Sequence, residues 1–242
     1  MTKRAVAFTF NNFSANPANH SACERLGVIR YITALLKDAD KDTNLQACLA
    51  VRHLFESARC RNQFLEMQGV PTLLALGNSE DVEVKREVAA SLRNLSLSEH
   101  SKAVIVREGG LDILCEMMHS PDVEICHQST GVVANLAESA ENQGLMTEHG
   151  VIQHIKFVAR SKSIDIQREA STALANLSAD YAYSPAIVAA GVLVTLVSSL
   201  SSPDFLCQRY AVMGVGNLAT NPVNQKKIIQ GYTSSINFNN KV

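Results

Sequence analysis

Ala175-Asn176-Leu177-Ser178 recurs, with small variations, along the chain. Arg93-Asn94-Leu95-Ser96, Ala134-Asn135-Leu136-Ala137 and Gly216-Asn217-Leu218-Ala219 keep its order: a small residue or Arg, an Asn, an apolar residue, then Ser or Ala. Asn11-Asn12-Phe13-Ser14 fits it too. The asparagines at 12, 94, 135, 176 and 217 stand 41 residues apart or twice that, and the skipped register holds His53. A fixed period of this length marks a repeat solenoid, in which each unit buries its apolar face only against its neighbours. Function is then expected along a row of repeated positions, not in one constellation.

Working outward, each 41-residue unit reads as three helical segments. The third full unit has a short helix over 100–108, a second over 111–119 after Gly109-Gly110, and a long third over 123–139 that carries the Asn. Gly27, Gly69, Gly109, Gly150 and Gly191 recur after the first segment, where a left-handed residue would stop a helix. Ser79-Glu80-Asp81 and Ser202-Pro203-Asp204 supply caps for the third. Along that helix Leu92, Val133, Leu174 and Val215 stand two before the Asn register. Leu95, Leu136, Leu177 and Leu218 stand one after it, and Val88, Ser129, Ala170 and Ala211 six before. Steps of four and three put them on one face, the expected core.

The array is expected to span 2–231. It begins with a lone third helix at 2–16, continues in units at 18–57, 59–98, 100–139, 141–180 and 182–221, and ends in a partial first helix at 222–231. Residues 232–242 carry no second-helix stripe and are expected to be an unstructured tail. Val6, Phe8, Phe10 and Phe13 on the first helix lack a partner to cover them, which suggests a piece of a longer array.

Bulk properties agree with packed helices. The chain is 46% hydrophobic with no Trp, and its formal net charge of −1 gives no basic field for nucleic acid. The six cysteines (Cys23, Cys48, Cys60, Cys115, Cys126, Cys207) form no Cys-x-x-Cys pair and read as reduced core thiols of a cytoplasmic or nuclear protein. The most apolar run, Ala186 to Val197, is too short for a membrane span and is broken by Gly191.

Arg-(x)7-Asn-Leu on the third helix, as in Arg86/Asn94, Arg168/Asn176 and Arg209/Asn217, together with Ile152, Ile155 and Val158 as a second-helix stripe, resembles the armadillo repeat. The resemblance covers residues 2–231 and implies an all-α, right-handed armadillo solenoid of three-helix repeats with a concave groove lined by third helices. Val106-Arg-Glu-Gly-Gly-Leu111, Cys115-Glu-Met-Met118 and the run Phe157 to Ala170 are similar to the vacuolar armadillo scaffolds of the vacuolar-protein-eight type. That family is lipidated at its N-terminus and tethers adaptors at the vacuole membrane, but Met-Thr-Lys-Arg lacks the lipidation motif. Importin-α proteins pair the Asn with a Trp four residues earlier; here those positions are Phe8, Leu49, Ala90, Gly131, Thr172 and Met213.

The candidate binding surface follows from the register. Asn94, Asn135, Asn176 and Asn217 form its unbroken row, with Arg86, His127, Arg168 and Arg209 eight residues earlier, Arg93 beside Asn94, and Thr172 and Met213 between. An Asn amide both donates and accepts, so a ladder of them matches an extended peptide backbone. Arg adds a planar fork for carboxylates. The expected partners are proteins with extended or partly helical acidic segments, with no nucleic acid, membrane insertion or cofactor. An Asn at a fixed repeat position equally suits a bond to the neighbouring repeat, and Arg86-Glu87 and Arg168-Glu169 suit local neutralisation.

No phosphate loop, nucleophile elbow or zinc-protease helix appears, so no catalytic residue is assigned and the chain is read as a non-enzymatic scaffold. Cys115, His119, Cys126 and His127 resemble a metal cluster in composition only, because neighbours 126 and 127 diverge and the set has no repeat logic. The sequons at Asn12, Asn94 and Asn176 follow from the repeat. A nuclear-transport adaptor and the substrate-recognition part of a larger ubiquitin ligase are the alternatives; localisation is expected to be cytoplasmic, peripheral at the vacuole in a lipidated form, or nuclear.

Overall fold

The computed structural model describes residues 2–229 and contains helices and no strand among them. The expected tail at 232–242, and the last residues of the partial helix before it, lie outside the described residues. The chain forms two compact units, Met1–Val132 and Val133–Val242.

The first unit holds α1 (Lys3–Ser14), a 3-10 turn (Pro17–Asn19), α2 (His20–Arg25), α3 (Val28–Leu35), α4 (Lys41–Leu54), α5 (Ala58–Glu66), α6 (Val70–Leu76), α7 (Val82–Leu95), α8 (Glu99–Arg107), α9 (Gly110–Met118) and the start of α10 (Val123–Ala137). Its third helices stack in sequence, α1 along α4 and α4 along α7. The second unit holds the end of α10, α11 (Ala140–His149), α12 (Val151–Val158), α13 (Ile164–Leu177), α14 (Ser184–Ala189), α15 (Val192–Ser199) and α16 (Phe205–Ala219). A helical stretch over 222–229 follows. Here α13 lies along α16, with α12 and α15 against them.

The repeated apolar positions make the core. Leu54, Leu95, Leu136, Leu177 and Leu218, one after the Asn register, are all fully buried, as are Val88, Ser129, Ala170 and Ala211 six before it. Burying each Leu of this row stabilises by roughly 1.5–3 kcal/mol. All six cysteines are free and buried. Burial pushes the thiols up, Cys60 and Cys115 to about 11, which leaves them poor nucleophiles.

The third helices start on aspartates. Asp40 accepts from the Thr43 N–H, Asp81 from Glu83 and Val84, Asp122 from Glu124 and Ile125, and Asp204 from Cys207. A Ser two residues earlier accepts the N–H of three of them, at Ser79, Ser120 and Ser202. In the remaining register Ser163 takes the cap position and makes no side-chain cap bond.

One expected glycine role is different in the structure. Gly109, Gly150 and Gly191 sit at φ of 82°, 87° and 83°, the left-handed stop. At the second register the positive φ, 52°, belongs to Gln68, and Gly69 is right-handed at −75°. Gly69 is needed for space: a Cβ there would run into the ring of buried Phe64. That ring packs edge-on against Phe55 with centroids 4.9 Å apart, so it has no room to yield.

Candidate functional site

The Asn row is built from the last turn of each third helix, at Asn94 on α7, Asn135 on α10, Asn176 on α13 and Asn217 on α16. In unit 1 the Asn94 Nδ2 donates to the Arg52 carbonyl at 3.0 Å. In unit 2 the Asn176 Nδ2 donates to the Ala134 carbonyl at 3.2 Å, and the Asn217 Nδ2 to the Ala175 carbonyl at 3.3 Å. The same bond recurs 42 residues back each time. The bracing expectation thus holds for these three: one N–H of Asn94, Asn176 and Asn217 ties the amide to the preceding repeat. Asn94, Asn135, Asn176 and Asn217 are all half-buried.

The Arg row is neutralised from a direction the sequence reading did not anticipate. Arg86 places Nε 2.9 Å and Nη2 2.5 Å from Asp122 Oδ2. Arg168 repeats this on Asp204 Oδ2 at 3.0 Å and 2.6 Å, and adds Asp165 through Nη1 at 2.9 Å. The partner is thus the cap aspartate of the following third helix, where the expectation was the adjacent Glu87 or Glu169. Each aspartate splits its work: Oδ1 caps its own helix while Oδ2 holds the preceding repeat. The guanidinium beside each carboxyl holds it below the usual carboxylate range, Asp122 through Arg86 and Asp204 through Arg168. Arg4 departs from the pattern: its Nη1 lies 2.5 Å from Oδ2 of Asp42, a first-turn carboxylate of α4 two residues past the Asp40 cap. Arg209 has no carboxylate partner among the described residues; its guanidinium lies 5.9 Å from the ring centre of its neighbour Tyr210.

A second ladder runs through unit 1 beside the first. The residue before the Asn register reaches the residue seven before it in the next repeat: Asn11 Nδ2 donates to Gln46 Oε1 at 2.8 Å, and Arg52 Nε stands 3.2 Å from Glu87 Oε2. Burial raises the Glu87 carboxyl while Arg52 acts against it. Arg93 lies over Gly131, and its guanidinium fills the space that a side chain there would need. In unit 2 the equivalent positions are Ala134, Ala175 and Gly216, so the row there is unobstructed. Thr172 spends its hydroxyl on the Arg168 carbonyl at 2.9 Å, and Met213 is exposed. His127 is half-buried on α10. At the skipped register His53 is half-buried and its imidazole pKa is lowered, by burial first and Arg52 second.

Both ladders were present in the sequence as an unread period. Asp stands at 40, 81, 122 and 204, thirteen before the Asn register, and Arg or Asn stands just before Asn12, His53 and Asn94. No group of three or more His, Cys, Asp or Glu that could hold a metal is found among the described residues. No helix among them is long and apolar enough to cross a membrane.

The Arg–Asp pairs set a pH dependence. A carboxyl pKa depressed in the fold stabilises above the unfolded value, near 4, and that stabilisation is lost as pH falls. Asp204→Asn keeps a capping oxygen and removes the pair. We expect its melting temperature to lie below that of the parent at pH 7, with the gap starting to narrow only below about pH 4 and still open at about pH 3, because the depressed Asp204 carboxyl stays charged in the fold after its unfolded counterpart has protonated. Circular dichroism melts across that range measure it; a gap independent of pH would mean the pair adds nothing.

The architecture has known counterparts. The Armadillo/beta-catenin-like repeat family model matches residues 98–138 and 139–179. No curated protein sequence matches the chain significantly. Two engineered proteins of known structure share 25% and 26% identity with TM-scores of 0.83 and 0.88. The alignment to the first covers 90% of both chains, and that to the second covers 94% of this chain and 57% of its counterpart. A designed armadillo repeat protein in complex with the peptide (KR)4 superposes with a TM-score of 0.81 at 17% identity, over 88% of this chain and 92% of its own. The fold is the armadillo solenoid of helical repeats, and within it residues 98–179 match the sequence pattern of that repeat.

Proposed function

We propose that the chain is a non-catalytic protein-interaction scaffold that binds an extended segment of a partner along the Asn row. The observation that supports this reading most directly is the state of the asparagines. Asn94, Asn176 and Asn217 are each oriented by one bond to the preceding repeat and keep an acceptor and a donor for a peptide main chain. Ordering the amide before binding lowers the entropy cost of each new bond. Designed armadillo repeat proteins made for modular peptide recognition share this fold and support the reading.

The acidic preference rests on narrower ground than the Arg row alone suggests. A ligand carboxylate would reach Arg86 or Arg168 by displacing Asp122 or Asp204, whereas Arg209 offers its fork without competition. We therefore assign the acidic contact to Arg209 in unit 2, with Met213 beside it. Tethering of partners at the vacuole membrane is part of the same proposal, supported by the likeness of Val106 to Leu111 and of Phe157 to Ala170 to vacuolar scaffolds. Imaging of the tagged chain would overturn it by showing no vacuolar signal.

The test uses a short peptide of alternating Glu and Asp against one of alternating Lys and Arg, titrated onto the protein at low and high salt. The acidic peptide should bind more tightly, and less so as salt rises. Asn135→Ala combined with Asn176→Ala should weaken it by about 1 kcal/mol per lost bond, roughly thirtyfold in all. Unchanged affinity in a variant that melts normally would sink the reading.

A further inference from the structure

We propose that the cleft between α5, the start of α6 and α8 binds a short segment of a partner protein in which an apolar side chain stands beside a Lys or Arg. The cleft has a volume of about 340 Å³, at the lower end of the range of ligand sites. Leu65, Val70 and Val104 are buried and form its floor, while Glu66, Gln68, His100 and Arg107 line it as exposed residues. His100, Val104 and Arg107 follow at steps of four and three, along one face of α8.

Two other seams of this kind are closed by side chains. Between α2 and α5 the Ser57 hydroxyl donates to the Glu24 carboxylate and the Gln63 amide to the Glu24 carbonyl. Between α11 and α14 the Tyr183 hydroxyl donates to Glu148, and Gln153 and Lys156 on α12 donate to the Ala190 carbonyl at 3.4 Å and 2.6 Å. Two repeats earlier the same positions read differently. Glu66 stands where Glu148 does, but Ser101 replaces Tyr183 and Pro71 replaces Gln153. Ser101 is short and spends its hydroxyl on Ser98 at 2.6 Å, and Pro71 has no amide to give. The seam between α5 and α8 thus lacks these bridges, and Glu66 is left without its tyrosine.

The polar groups around the cleft are unspent. The side chains of Glu66, Gln68 and His100 make no hydrogen bond or ion pair with the described residues, and Arg107 meets only its neighbour Glu108, at 3.4 Å. Gln68 also stands in the register of Gly27, Gly109, Gly150 and Gly191 and keeps their left-handed backbone, at φ 52°. A side chain in that conformation costs stability, and here it brings a free amide to the cleft.

These groups define the occupant. The floor takes an apolar side chain. The Gln68 amide can both donate to and accept from a passing main chain. Arg107 and Glu108 offset each other, so the charge without a counterpart is Glu66, which calls for a cation. Lys and Arg meet that demand with an aliphatic stem that lies along apolar surface while the head stays at the rim. The exposed rim would leave much of a free small molecule in water, whereas a chain that continues past the cleft is held on both sides.

The test selects a random heptapeptide library on the intact protein after removing binders of the Glu66→Lys, Gln68→Gly double variant. The surviving peptides should carry an apolar residue next to Lys or Arg. Labelled with a fluorophore and titrated by anisotropy, they should bind at least tenfold more weakly to Gln68→Gly and to Glu66→Lys alone. Both variants should melt no lower than the parent, because the first relieves the backbone and the second has no partner to lose. Exchanging the basic residue of the peptide for Glu should restore binding to Glu66→Lys. Asn135→Ala with Asn176→Ala should leave the peptides bound, so a failed Asn row and a failed cleft give different results. No surviving peptide, survivors without a basic residue, parent-like binding by both single variants, or no gain from the exchanged charges would overturn the proposal. Hexylamine bound as tightly as the peptides would overturn it in favour of a small amine.

Discussion

Leu177→Ala is expected to destabilise the second unit by about 2–5 kcal/mol, whereas Asn176→Ala, its neighbour, is expected to cost about 1 kcal/mol. Leu177 is fully buried among the apolar row of α13, so truncation removes transfer energy and leaves a cavity. Asn176 is half-buried and loses one bond, to the Ala134 carbonyl, which sits where water has partial access. Urea unfolding of the two variants reads the difference directly, as a fall in midpoint at nearly constant slope. The asymmetry separates the two roles of the tetrapeptide: the leucine holds the fold, and the asparagine is held for another purpose. Equal losses would make the asparagine structural and remove the main support for the groove.

Gly69→Ala is expected to cost about 1–3 kcal/mol through overpacking, because the new methyl meets the Phe64 ring and that ring is braced by Phe55. Gly150→Ala is expected to cost about 1–2 kcal/mol for a different reason, the left-handed backbone at φ 87°, with open space around it. The two costs can be told apart. Shrinking Phe64 to Leu should rescue Gly69→Ala in part and do nothing for Gly150→Ala. Gln68→Gly should be neutral or stabilising, since it relieves the positive φ that Gln68 now carries. Thermal melts of these variants suffice, and a Gly69→Ala protein as stable as its parent would place the constraint elsewhere.

Much of the fold was legible because the period is strict. The row at 54, 95, 136, 177 and 218 could be named as core from spacing alone, since a position repeated every 41 residues meets the same surroundings each time. The limits of legibility are also physical. Gly69 looks like its register mates in sequence, and only the Phe64 ring reveals that it answers to volume and not to backbone angle. The partners of the Arg row were sought in the adjacent Glu87 and Glu169 because Asp204 read as a cap alone. A carboxylate has two oxygens, and the sequence does not say that the second is spent on the preceding repeat. The asparagines were read as groove or as brace; an amide has enough valences to serve as both.

That divided carboxylate bears on motion as well. Where an aspartate both starts its own helix and grips the helix before it, unwinding the first turn of one repeat also frees an arginine of its predecessor, which couples the opening of the two. Fraying at Asp204 is thereby tied to the fate of Arg168. Ser163 lacks the second oxygen, and α13 begins without a side-chain cap. The first turn of α13 therefore lacks that tie, and its unwinding releases no cap aspartate from the helix before it.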